Sequence, residues 1–300
     1  MSIFRGSGVA LVTPFNEDGN VNYTALDELL EFHLENSTDA IVIVGTTGEA
    51  STLTDEEQVE VVKFTVDKVN KKVPVIAGAG SNDTRHGINL SKMIEDVGAN
   101  ALLQVTPYYN KTSQIGLLKH FEAIDRAVKI PMIAYSVPGR TGMGIMPESV
   151  VEISKMNNFV AIKDATGDLG YTAKVASLVG DDFDIYSGND DIVLPLMSLG
   201  GVGVISVWAN IFPREVHDMC EAFFSGDIEK ARGIQLRFKE FIDALFMEPS
   251  PIPLKAAMNI LGYQACHLRL PLYEASENTK ETMKRILKGL GRLWEYFWLE

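Results

Sequence analysis

Cysteine is nearly missing from this chain of 300 residues. Cys220 and Cys266 stand alone, with no CxxC pair. That argues against a disulfide scaffold and for buried thiols in a reducing, cytoplasmic setting. Histidine is scarce as well. His33, His86, His120, His217 and His267 are dispersed, no two at strand or helix spacing, so a zinc site is not expected. Cations are outnumbered, with 27 Lys and Arg against 40 Asp and Glu and a net charge of −13. Such a surface is a poor match for nucleic acid or an anionic membrane, although one local cation can still hold an anionic small molecule. No apolar run reaches membrane-spanning length. The opening MSIFRGSGVALVTPF is broken by Arg5, Gly6 and Gly8 and lacks the pattern of a signal peptide. There is no Walker loop and no GxSxG, and the GxG of GVGVISV at 201–207 does not continue to GxGxxG.

What is present is a rhythm. Eight short apolar runs, GVALVT near 8, AIVIVG near 40, VPVIAGAG near 73, ALLQVTP near 101, PMIAYSVP near 131, FVAIKDAT near 159, FDIYSG near 183 and VGVISV near 202, alternate with helical segments. Near-continuous apolar runs of this length are the pattern of parallel strands buried on both faces. In DEEQVEVVKFTVDKVNK, Val59, Val62, Val66 and Val69 repeat at helical period, and Thr54 with Glu57 forms a capping box at its start. In NKKVPVIAG and AVKIPMIAY a Pro separates helix end from strand start, because the residue before Pro is pushed out of the helical region. Eight βα units predict an α/β fold, a (β/α)8 TIM barrel over 1–224, with a doubly wound open sheet as the rival. Residues 225–300 read as a C-terminal helical region of about three helices, at 227–246, 252–262 and 277–296, with no flexible linker before them and packed on the barrel.

In such a barrel the active site is built where the strands end. The second run ends in GTTGE, the fourth in TPYYN, the fifth in YSVPGR, the sixth in Lys163 and Asp164, the seventh in Ser187, Gly188 and Asn189, and the eighth in Ile205 and Ser206. Taken alone, Lys163 also fits a lysine that snorkels to solvent or pairs with Asp164 or Asp168. The functional alternative is a Schiff-base nucleophile. That role needs a neutral amine, which an apolar strand favours by disfavouring the ammonium.

Five motifs carry a resemblance: GTTGE at 45–49, VTPYYN at 105–110, YSVPGRTG at 135–142, AIKDATGD at 161–168 and SGND at 187–190. In order and spacing they resemble the dihydrodipicolinate synthase branch of the pyruvate-dependent class I aldolases. The resemblance implies a lyase of lysine and diaminopimelate biosynthesis that condenses pyruvate with L-aspartate 4-semialdehyde to give 4-hydroxy-tetrahydrodipicolinate. It implies no cofactor beyond the covalent pyruvate imine on Lys163. It makes Tyr135 the proton donor and acceptor, Thr46 and Tyr109 its relay partners, and Thr47 a ligand of the pyruvate carboxylate. Gly188 and Ile205 would line the pocket, and Arg140 would receive the carboxylate of the semialdehyde. Tyr109 would cross from a neighbouring subunit, so a homo-oligomer is implied: a dimer for Tyr109, and a tetramer beyond it.

Sister aldolases that cleave N-acetylneuraminate or 2-keto-3-deoxy sugar acids share the GTTGE-like and lysine motifs. Arg140 separates them, since a polyol aldehyde gives a guanidinium nothing to hold. A catalytically silent barrel that only binds a keto acid is a further alternative, disfavoured by the intact Lys163, Tyr135 and Thr46. At the effector site where related enzymes bind lysine, the matching positions are Ala50, Ser51, Asp55, Gln58, Asn82, His86 and Tyr108. Two histidines and a glutamate of the lysine-inhibited pattern are replaced by Asp55, Gln58 and His86. Weak or absent lysine feedback is therefore expected.

Overall fold

The apolar runs resolve into two faces once each strand lies in its sheet. A computed structural model describes residues 2–264 and 266–293. Its strands are β1 (Gly6–Ala10), β2 (Ala40–Ile43), β3 (Val75–Gly78), β4 (Ala101–Val105), β5 (Met132–Ser136), β6 (Phe159–Asp164), β7 (Asp184–Ser187) and β8 (Gly203–Ser206). They pair in parallel in sequence order, and β8 returns to β1, closing the barrel. The predicted (β/α)8 barrel is thus the observed one, and the open sheet is excluded. Closure demands a glycine: Gly203 has φ 153°, and a Cβ there would lie 2.1 Å from the Gly6 carbonyl oxygen.

Side chains alternate along each strand. Val9, Ile41, Ile43, Leu102, Ala134 and Ile162 face the surrounding helices and join the outer core. Ala10, Val42, Leu103, Ile133, Tyr135, Ala161, Tyr186 and Ile205 form a second cluster that fills the barrel. Lys163 is two residues beyond Ala161 and so shares its inward face. At the opposite end Phe4 stacks on Tyr186 with centroids 4.4 Å apart, and the Tyr186 hydroxyl donates to the Phe4 carbonyl at 2.7 Å.

Helix Asp55–Val69 starts at the expected capping box, with both reciprocal bonds between Thr54 and Glu57 made. Its buried face is rotated from the valine repeat: Gln58, Val61, Val62, Thr65 and Val69 are buried, while Val59 and Val66 are half-buried. The segment expected as one helix over 227–246 is two, Ile228–Arg237 and Lys239–Ala244. The break is Phe238, at φ −95° and ψ 1°, whose buried ring packs on Trp208 and Phe212 with centroids 5.0 and 4.7 Å away. The bonds from the Phe238 amide to the Ile234 carbonyl and from the Ile242 amide to the Phe238 carbonyl are kept, so the chain bends at the buried ring without losing a turn. The segment expected at 252–262 is helix Ile252–Ile260. The last helix runs Glu277–Gly289 and stops at Gly291 with φ 75°, short of the expected 296; positions 294–296 lie outside the described residues. Leu254, Met258, Met283 and Leu287 of this tail belong to the same core as Val9 and Ile41.

His33, on helix Tyr23–Glu35, is fully buried with Nδ1 2.9 Å from the Thr38 hydroxyl. Burial pushes its pKa down to about 3. Below pH ~6.5 the unfolded chain therefore takes up a proton that the native fold refuses. The stabilisation is complete above that pH and shrinks as pH falls toward 3. Burial lowers the pKa of His120 as well, with Asp83 opposing. Between pH 7 and pH 5 the His33 contribution falls by about 2 kcal/mol. Urea unfolding at the two pH values is expected to show a steeper loss for the wild type than for His33→Gln, whose amide does not titrate.

Candidate active site

Lys163 is the penultimate residue of β6, in register with Tyr135 of β5 and Tyr186 of β7. It is 6% exposed, and its Nζ lies 4.2 Å from the centroid of the Tyr135 ring. Among the described residues no carboxylate comes within ion-pair distance of that amine. The two acids adjacent in sequence are engaged elsewhere. Asp164 faces outward and accepts from Thr166 N at 2.9 Å, Thr166 Oγ1 at 2.7 Å and Thr172 Oγ1 at 2.6 Å. Asp168 caps helix Leu169–Ala176 through the amides of Gly170 and Tyr171.

Gly188 makes room for the lysine stem. A Cβ there would sit 3.1 Å from Lys163 Cε and 2.7 Å from Ala165 Cβ, and the Gly188 amide donates to the Asp164 carbonyl at 2.7 Å. Ile205 lies in the same inward cluster as Tyr135. Lys163, Tyr135, Gly188 and Ile205 are therefore brought together at the strand ends.

The turn after β2 holds Thr46 and Thr47. Thr47 is buried and Thr46 is exposed. Neither hydroxyl makes a hydrogen bond within the described residues, so the expected link from Thr46 to Tyr135 is not formed in this chain. The turn is bounded by two residues in left-handed conformation, Val44 at φ 46° and Glu49 at φ 54°. For a β-branched valine that conformation is strained, and such strain gathers at functional turns. Tyr109, at φ 69°, is 91% exposed. Arg140 lies in the helical turn Pro138–Thr141, not in an open loop; its exposed guanidinium donates to the Ser250 carbonyl at 3.0 Å.

The residues at the positions matched to an effector site make separate local contacts. Ala50 and Ser51 lie in the 3-10 turn Ala50–Thr52. Gln58 donates to the Ala50 and Leu53 carbonyls, and Asn82 donates to the Tyr108 carbonyl at 3.1 Å. The Nε2 atom of His86 is 2.9 and 3.0 Å from the two oxygens of Asp55, and its Nδ1 is 2.9 Å from Ser81 Oγ.

Two features escaped the sequence reading. Asp190 is buried after β7 and accepts from the Val207 and Trp208 amides at 3.0 and 2.9 Å, tying the ends of β7 and β8; burial raises its pKa. Lys255, in PIPLKAAM, is buried against Glu49. Its signal was a lone cation in an apolar run, the same one that marked Lys163.

The sequence profile described as the Dihydrodipicolinate synthetase family matches residues 3–290. The chain belongs to that family. It is 55% identical over 290 residues to the 4-hydroxy-tetrahydrodipicolinate synthase of Clostridium tetani, covering 96% of this chain and 98% of that protein. It is 53% identical over 296 residues to the enzyme of the same name from Thermoanaerobacter pseudethanolicus, covering 98% and 99%. Among solved structures it resembles the chloride-inhibited dihydrodipicolinate synthase of Acinetobacter baumannii complexed with pyruvate. There the TM-score is 0.94 at 42% identity, with 96% of this chain and 99% of that one covered.

Within this dihydrodipicolinate synthetase family member, Gly188→Ala overpacks the lysine stem. It is expected to cost about 1–3 kcal/mol of stability, read as a lowered urea midpoint with unchanged slope.

Proposed function

We propose that this chain is a 4-hydroxy-tetrahydrodipicolinate synthase, condensing pyruvate with L-aspartate 4-semialdehyde through an imine on Lys163. The observation that carries the reading is the buried Lys163 amine, over the Tyr135 ring and in no ion pair among the described residues, in a chain alike over almost its whole length to enzymes of that name. The pyruvate complex of the Acinetobacter enzyme supports the donor substrate.

The chemistry follows from the groups at hand. The Lys163 amine adds to the pyruvate keto carbon, and loss of water gives the imine. Its nitrogen withdraws electrons from the methyl carbon, which gives up a proton to form an enamine. That carbon then attacks the aldehyde carbon of the second substrate, whose oxygen takes up a proton, and the amino group of that substrate displaces Lys163 from the regenerated imine, closing the ring and freeing the amine. Tyr135, next to the amine, can pass the protons needed for addition and dehydration without holding a permanent charge. Thr46 and Tyr109 extend this relay in our reading, Thr47 holds the pyruvate carboxylate, and Gly188 and Ile205 line the pocket. Arg140, with one guanidinium nitrogen held by Ser250, has others free to bind and orient the carboxylate of the semialdehyde.

Tyr109 completes the relay only from a second copy, so we place the active form in a homodimer or a tetramer built from it. Its near-complete exposure supports this. Cys220 and Cys266, free and buried, suit a cytoplasmic enzyme. No helix among the described residues is long and apolar enough to cross a membrane.

The test is a coupled assay with pyruvate and aspartate semialdehyde, following NADPH consumption by added dihydrodipicolinate reductase. The wild type is expected to turn over, and Lys163→Ala to lose both turnover and the mass added by borohydride with pyruvate. Trapping without turnover would mean that the acceptor aldehyde is a different one. Inhibition by L-lysine is expected only at millimolar concentration or above, because Asp55 and His86 already satisfy each other. A submillimolar inhibition constant would overturn that.

A further inference from the structure

The turn that presents Thr46 and Thr47 is fixed by a residue from the C-terminal helices, more than 200 positions away in sequence. Lys255, on helix Ile252–Ile260, is 1% exposed. Its Nζ is 2.6 Å from Glu49 Oε1 and donates to the carbonyls of Thr13 at 2.8 Å and His267 at 2.7 Å. Glu49 closes the turn after β2: its amide donates to the Thr46 carbonyl at 3.1 Å, and its carbonyl accepts from Thr52 Oγ1 at 3.1 Å. Its other carboxylate oxygen accepts from the Arg269 amide at 3.2 Å.

The turn is gripped from the β1 side too. Thr13, whose carbonyl Lys255 holds, donates its own hydroxyl to the Gly48 carbonyl at 2.7 Å. Phe15 lies between Lys255 Nζ and Arg269 Cζ, its ring centroid 4.4 and 4.5 Å from them. Arg269 in turn pairs through two nitrogens with Glu57 and donates to the Thr52 carbonyl at 2.7 Å.

Glu49 adopts a left-handed conformation that a non-glycine residue holds only when its surroundings impose it. Burial disfavours the Lys255 ammonium and lowers its pKa, and the facing Glu49 carboxylate works against that. A surface pair could not impose such geometry, because solvent screening and side-chain entropy leave it little net energy. A buried pair can, since separating either charge from its partner would leave it poorly compensated away from water.

We propose that Lys255 is a positioning residue for substrate binding: through Glu49 it holds the Thr46–Thr47 turn in the geometry that receives the pyruvate carboxylate. The proposal rests on the reading of Thr47 as the ligand of that carboxylate. Lys255 touches no substrate, and its effect falls on affinity for pyruvate rather than on the bond-making at Lys163.

The readout is the pyruvate concentration that half-saturates borohydride trapping. Lys255→Met leaves Glu49 charged and unpaired, which endangers folding. The double variant Glu49→Gln/Lys255→Met replaces the pair by neutral groups of similar size. It is expected to fold and to reach the wild-type trapping maximum, but only at about ten- to a hundredfold more pyruvate. Hydrogen exchange on the wild-type protein adds a test that needs no variant: pyruvate is expected to slow exchange both at 46–52 and at 252–260. A double variant that half-saturates at the wild-type concentration overturns the proposal, as does protection confined to 46–52. If the wild type is not trapped at all, the reading of the whole site fails. Trapping of the wild type with unchanged half-saturation in the variant removes only the role of Lys255.

Discussion

A buried ammonium needs an acceptor for each of its three protons, and the two buried lysines described above meet that need differently. Lys255 donates to the carbonyls of Thr13 and His267, and its charge faces the Glu49 carboxylate 2.6 Å away. Lys163 has an aromatic face and no oxygen partner among the described residues. The first lysine is fully committed to holding other groups in place. The second is left with its amine uncommitted at the mouth of a closed barrel. Everything that keeps it so is supplied by strand alternation. The inward face carries Ala161, Ile133, Tyr135 and Ile205, and the nearest acid in sequence, Asp164, falls on the outward face and is taken up by Thr166 and Thr172.

That difference also explains why one lysine could be read from sequence and the other was passed over. A strand has a period of two, so a cation two residues past a buried alanine must face the barrel interior. The eight strands and the capping box at Thr54 were legible for the same local reason. Lys255 carried the same signal within an apolar helix, but its partner lies 206 positions earlier in a turn, and pairing across that distance is set by tertiary packing. The rotated face of helix Asp55–Val69 and the break at Phe238 belong to the same class. Burial of Gln58 and Thr65 depends on which neighbours the helix meets, and Phe238 leaves the helical path because Trp208 and Phe212 offer its ring a place.

The tail is therefore more than a cover for the barrel. Helix Ile252–Ile260 and the segment through Arg269 reach the turn after β2 on its buried side. Arg140, after β5, is anchored on Ser250 just before that helix. The turn after β2 and Arg140 are thus held by residues of one part of the chain, the turn by Lys255 and Arg269 and the arginine by Ser250. On the proposed reading of the site, displacing those residues would move both substrates' anchors while leaving Lys163 and Tyr135, which sit on barrel strands, where they are.

The Asp55–His86 contact follows the logic of the Lys255 pair with the opposite sign of consequence. A site for an amino-acid effector must offer a carboxylate to the ligand's ammonium and donors to its carboxylate. Here Asp55 accepts from His86, and Ser81 holds the other imidazole nitrogen. An incoming ammonium would have to displace the imidazole before it gained anything. Both side chains are partly exposed, so the contact is worth little to the fold. Its expected effect is on recognition: if these residues correspond to an effector site, the contact occupies the charge that an incoming ammonium would otherwise meet.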